Sequence, residues 1–109
     1  MVSYFVSYRG SSPAAEAFLR HYRERHAEIL KSFPGIRGLV LHTPVDWTDP
    51  YPVNPGGRLL LAQMQFASVG ALDAALASEA RARAREDFRA FPAFDGTVTH
   101  QAMASTVVF

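Results

Sequence analysis

The chain has 109 residues, eleven Lys plus Arg against ten Asp plus Glu, and no cysteine. That length holds one modest core and not two, so residues 1–109 are expected to form a single domain. A formal charge of +1 offers no net field to nucleic acid or an anionic membrane, and neither is expected as a partner. The missing cysteines exclude disulfide staples, thiol nucleophiles and thiolate metal sites. Residues 1–8 lack the basic-then-apolar pattern of a signal peptide and no stretch is apolar enough to span a bilayer, so a soluble cytoplasmic protein is expected.

Residues Val2–Tyr8 set Tyr4, Val6 and Tyr8 against Ser3, Phe5 and Ser7, a period of two that predicts the first strand. Gly10 and Ser11 break it, Ser12 is placed to cap a helix, Pro13 suits a first turn, and Glu16 complements the positive end of the helix dipole. That helix is predicted to end near Phe33, at Pro34 and Gly35, with a second strand over Ile36–His42. Residues Pro44–Gly57 carry four prolines and read as a loop. Arg58–Phe66 is predicted to be a strand with Leu60, Ala62 and Met64 on one face and Leu59 and Leu61 on the other. Ser68 opens a second helix with an inward stripe of Leu72, Leu76, Ala80, Ala84, Phe88 and Phe91, and a restart is readable at Ser78. Pro92 and Gly96 end it, and Thr97–Phe109 reads as a last strand with an apolar tail.

The order β-α-β-β-α-β predicts an α+β, ferredoxin-like antiparallel sheet with both helices on one face. Two helices cover one face only, so the leucines on the other face of the third strand predict a partner sheet from an identical chain, a homodimer. On the first helix the stripe Ala15, Phe18, Leu19, Tyr22, Ile29, Leu30 is completed only by His26. An inward-facing imidazole is either a satisfied structural group or a proton-transfer group lining a pocket.

The string FLRHYRERHAEILKSFPGIRG, with Phe18, Tyr22, His26, Leu30, Lys31, Pro34 and Gly35, resembles the first-helix signature of the EthD family, named for ethyl tert-butyl ether degradation. QFASVGALDAALASEARARAREDFRAFPAF is similar to that family's strand, helix, Ala-Ser turn and Asp-Phe segment, through Ser68, Leu72, Ala77, Ser78, Asp87 and Phe91. The resemblance spans nearly the whole chain and implies a dimeric α+β barrel with a pocket between helices and sheet in each subunit. Relatives on that fold include lactone isomerases, polyketide cyclases and dehydratases, cofactor-free oxygenases and haem proteins, so the fold does not name the reaction. The family itself is associated with xenobiotic or aromatic catabolism and with the label oxidoreductase. The proline- and aromatic-rich loop at residues 44–57 departs from the family's pattern.

The resemblance makes His26 the candidate catalytic acid/base, a neutral imidazole suited to moving a proton activated by a carbonyl. Tyr22 lies one turn away and is placed either to orient a substrate oxygen or to pack in the core. The expected pocket lining is completed by Tyr4, His42 and His100 on strands and by Trp47 and Tyr51 in the loop, the last two as a lid or as dimer packing. His26, His42 and His100 show no spacing that converges on a metal, the second helix holds no histidine for haem, and no glycine-rich nucleotide turn occurs, so no cofactor and no metal are expected. Arg81, Arg85 and Arg89 share a helical face able to grip an anion, and read more simply as a solvated face. Two functions fit this pattern. One is a cofactor-independent enzyme, of oxidoreductase or isomerase/cyclase type, acting on a small aromatic, enone or lactone-like metabolite. The other is a non-catalytic binding or accessory protein that holds a hydrophobic metabolite in the same pocket.

Overall fold

Side-chain alternation along the strands decides which face of the sheet is buried. The computed structural model describes every residue from Met1 to Phe109. Four strands, β1 (Val2–Ser11), β2 (Gly38–His42), β3 (Arg58–Phe66) and β4 (Asp95–Ala104), form one sheet in the order β2-β3-β1-β4, with each neighbouring pair antiparallel. Between β1 and β2 run α1 (Ala15–His21), a π-helical turn (Tyr22–His26) and α2 (Ala27–Lys31). Between β3 and β4 run α3 (Val69–Leu76), α4 (Glu79–Asp87) and a 3₁₀ turn (Phe88–Ala90). This is the ferredoxin-like α+β arrangement, with β1 and β3 in the centre of the sheet.

Val2, Tyr4, Val6 and Tyr8 of β1 and Leu60, Ala62, Met64 and Phe66 of β3 point to the helices and are buried with Phe18, Tyr22, Leu30, Leu72, Ala75, Ala80 and Ala84. The helical chain between β3 and β4 breaks at Ala77, and each half has its own cap. The Ser68 hydroxyl accepts from the Ala71 N–H at 3.1 Å and the Ser78 hydroxyl accepts from the Arg81 N–H at 3.4 Å. No helix is long and apolar enough to cross a membrane.

Three boundaries differ from the sequence expectation. Pairing with β4 carries β1 on to Ser11, so Ser12 sits in the following turn and Ala14, without a side-chain cap, precedes α1. The Ser12 hydroxyl instead donates to the Ala93 carbonyl at 2.6 Å. At the other end, β4 stops at Ala104 because its partner Val2 is the first residue of β1. Val107, Val108 and Phe109 are exposed beyond it.

The outer face of the sheet is more polar than Leu59 and Leu61 alone imply. Ser7 accepts from Arg58 Nε at 2.7 Å and Ser3 accepts from Gln63 Nε2 at 3.2 Å. Gly10 and Gly96 face each other across β1 and β4 with φ of +143° and +157°. A Cβ on Gly96 would lie 2.1 Å from the Arg9 carbonyl oxygen. Gly96→Ala is therefore expected to cost about 2 kcal/mol or more. Urea unfolding tests this, and wild-type stability in the variant would contradict the close strand approach.

Candidate active site

The first helical rod does not keep one pitch. At Tyr22–His26 the Ala27 N–H reaches the Tyr22 carbonyl, five residues back, which makes one π turn between two α-helical segments. In an unbroken α-helix His21 and His26 would stand about 140° apart around the axis. With the wider turn between them, both imidazoles meet one carboxylate. His26 Nδ1–H donates to Asp87 Oδ2 at 2.9 Å and His21 Nε2–H donates to the same oxygen at 3.0 Å. π turns of this kind recur where a helix must present a functional side chain.

Asp87 comes from the last turn of α4, where Ala80, Ala84 and Asp87 continue one inward face at spacings of four and three. Phe88, expected on that stripe, lines the cavity and stacks on Tyr8 at 6.2 Å while remaining 39 % exposed. Burial alone would push the Asp87 carboxyl up, but the hydrogen bonds from His26 and His21 outweigh it and hold the carboxyl below its ordinary range. An ionised carboxylate only accepts, so both imidazoles must donate to it. Burial pushes His26 below the ordinary imidazole value, against the opposing pull of Asp87, so this ring is neutral at pH 7. With the Nδ1 proton committed to Asp87, Nε2 carries the lone pair. No buried side-chain nitrogen or oxygen lacks a partner, so Nε2, which has none within the protein, is reached by solvent.

His26 opens into a cavity of about 340 Å³ between the helices and the sheet, whose fourteen lining residues include ten hydrophobic ones. Tyr22 and Phe91 bracket the ring, with centroids 4.7 and 5.0 Å from it. Tyr8 stands edge-on to Tyr22 at 5.9 Å. Burial pushes the Tyr8 phenol up to about 12, and burial also raises Tyr22, with the neighbouring Tyr8 adding to the rise. Both phenols are therefore neutral at pH 7. The site combines one imidazole base with neutral phenols and apolar walls, a set suited to taking a proton from a bound organic molecule.

The structure brings Tyr4, Tyr22, His26 and His100 together on the lining, and Arg81 and Arg85 with them. It does not bring in His42, Trp47 or Tyr51. His42 lies on β2, at the sheet edge farthest from β4, and points to the outer face, where it meets Gln63 Oε1 at 3.2 Å. Trp47 and Tyr51 lie in the proline-rich loop that joins β2 to β3 and are 60 % and 76 % exposed. The loop leaves the sheet at the edge away from the cavity, so neither residue covers it. Arg81 and Arg85 are corrected in the opposite sense, because they flank the inward Ala84 and line the cavity instead of facing solvent alone. His21 was not singled out in the sequence, and Asp87 was named there only for the family resemblance, with no role in the site. The 80-84-87 spacing could have found Asp87, whereas His21 is visible only once the π turn is known.

Fold and site together define a small ferredoxin-like α+β protein with an aromatic cavity and a histidine–aspartate pair in its wall. The EthD domain model matches residues 13–99, and the chain belongs to the EthD family. No curated protein matches it in sequence. Among solved structures it is similar to an ethyl tert-butyl ether degradation (EthD) family protein of Bacillus halodurans, with a TM-score of 0.76, 19% identity, and 97% of this chain and 99% of that one covered. It is also similar to the ActVA-Orf6 monooxygenase of Streptomyces coelicolor in complex with nanaomycin D (TM-score 0.70, 17% identity, 99% and 89% covered). A third likeness is to SnoaB, a cofactor-independent oxygenase of Streptomyces nogalater (TM-score 0.67, 17% identity, 98% and 94% covered).

The lowered His26 and Asp87 values fix the sign of a pH effect on stability. The unfolded chain takes up protons before the folded one as pH falls, so stability is full above the ordinary imidazole value of 6.5 and declines below it. The Asp87 part is present above the ordinary 3.8 and is lost as pH falls through its lower folded value. The melting temperature is expected to drop between pH 7 and 5, and by less in His26→Gln. A melting temperature that rises over that interval, with the same slope in both proteins, would contradict the assignment.

Proposed function

We propose that this protein is a cofactor-independent enzyme acting on a small aromatic or enone-like metabolite, with His26 as the general base. The observation that carries it is the division of labour on one imidazole. Nδ1 is held by Asp87 at 2.9 Å, while Nε2 has no protein partner and His26 lines the cavity. In the proposed step Nε2 removes a proton from a phenolic O–H or from a C–H next to a carbonyl, leaving an electron-rich anion against the aromatic wall. Asp87 fixes the ring orientation and stabilises the imidazolium that forms, as a buried carboxylate does for a catalytic histidine. In this reading Tyr22 and Tyr8, which line the cavity as neutral phenols, donate to a substrate oxygen. Isomerisation or cyclisation needs only return of the proton elsewhere. Oxygenation needs reaction of the anion with dioxygen, and the names of the two Streptomyces neighbours favour that branch.

The test is oxygen uptake and product formation with a panel of dihydroxyarenes, comparing wild type with His26→Gln. Turnover is expected to fall by about two to four orders of magnitude, while the variant stays folded and keeps the cavity. Wild-type turnover in a folded His26→Gln protein would remove His26 from the chemistry. Ligand binding without turnover in either form would favour the metabolite-binding alternative.

We also infer a homodimer formed through the outer face of the sheet. Phe5, Leu59 and Leu61 are only half-buried there, and Val40 and Met103 are 41 % and 48 % exposed. A second copy would cover this apolar strip. Light scattering at micromolar concentration should give twice the 12.0 kDa chain mass, and a folded monomer at that concentration would refute the interface.

A further inference from the structure

Arg81 and Arg85 line the cavity, yet neither is paired with a carboxylate, and the protein's one arginine–carboxylate pair joins Arg89 to Glu86. No acidic residue lines the cavity either. Arg81 is half-buried, and its guanidinium carbon stands 6.0 Å from the centroid of the Tyr4 ring. A guanidinium resting on an aromatic face keeps its N–H edge available, and that edge matches a carboxylate. Two cations one helical turn apart beside an apolar wall, without a carboxylate between them, repel each other. His100 reports the same field. Its ring lies 6.0 Å from that of Tyr4, and burial, followed by the charges of Arg81 and Arg85, pushes its pKa down.

Arg81 and the base are separated along the cavity, with Arg85 one turn nearer Asp87 on the same helix. Arg81 lies in the first turn of α4 and Asp87 in the last, six residues on, or about 9 Å of helix rise. On the facing strand, Tyr4 accompanies Arg81, and Tyr8 stands beside the Tyr22 that touches His26. A planar ring system lying along β1 would thus present one end to the arginines and the other to the imidazole.

We propose that the substrate is an aromatic carboxylate, its acid group held by Arg81 and Arg85 and its proton-bearing end set against His26 Nε2. The substrate's orientation in this form rests on His26 being the base, whereas the acid-binding end stands on the arginines alone. The probes are a hydroxynaphthoate and the naphthol that lacks its carboxylate, titrated calorimetrically into the wild-type protein. The acid is expected to bind more tightly than the naphthol. Arg81→Gln and Arg85→Gln should each weaken the acid by about tenfold to a hundredfold and leave the naphthol within about twofold. Arg85 is exposed, so its variant guards against an Arg81 variant that fails to fold. In NMR titrations, the acid should raise the His100 pKa, because a bound anion offsets the two arginine charges, and naphthol should not. Equal affinity for acid and naphthol, or unchanged acid affinity in both arginine variants, would overturn the proposal. Neither readout depends on turnover, so loss of the His26 assignment would be seen separately in the turnover of His26→Gln.

Discussion

One carboxylate oxygen joins the two helical segments of this protein beside its cavity. Asp87 Oδ2 receives both His26 and His21, and so ties the π turn of the first helical rod to the end of α4. An ionised Asp87 needs donors, and each of the two imidazoles has an N–H to give. The same bond sets the tautomer of His26 and leaves its second nitrogen for the cavity. Fold and site are thus coupled through one interaction.

Aromatic packing closes off one side of the His26 ring. Phe91 stands edge-on to His21, His26 and Tyr22 at 4.5, 5.0 and 5.8 Å, and it packs against Phe18 at 5.1 Å. Edge-to-face contacts of this kind fix ring orientation as well as burying area. The open side is the cavity, where Tyr4 and the arginines are found. The polar groups of the site therefore fall into two sets, one hydrogen-bonded behind His26 and one free in front of it.

Much of the fold was legible in the sequence, because period-two strands and proline or glycine stops are local signals. Tyr4, Val6 and Tyr8 mark the buried face of β1 as the alternation predicts, and His26 faces inward as the stripe predicts. What was not legible depended on departures from ideal geometry. His21 shares Asp87 only because the π turn adds a residue to one turn, and a 3.6-residue period hides that. Asp87 sat one position from the stripe that runs through Phe88, and helical spacing of three or four fits either residue. His42 follows the strand pattern, but its face and its distance from β4 come from register and strand order, which are long-range. Trp47 and Tyr51 were legible as loop residues and not as neighbours of anything.

The proposed chemistry needs a neutral His26 with Nδ1 protonated and Nε2 bare. Nitrogen-edited NMR of the imidazole rings at neutral pH reads this without a substrate. His26 is expected as the Nδ1–H tautomer, titrating below the ordinary imidazole value and losing its tautomeric preference in Asp87→Ala. A His26 found as the Nε2–H tautomer, or already protonated at pH 7, would contradict it.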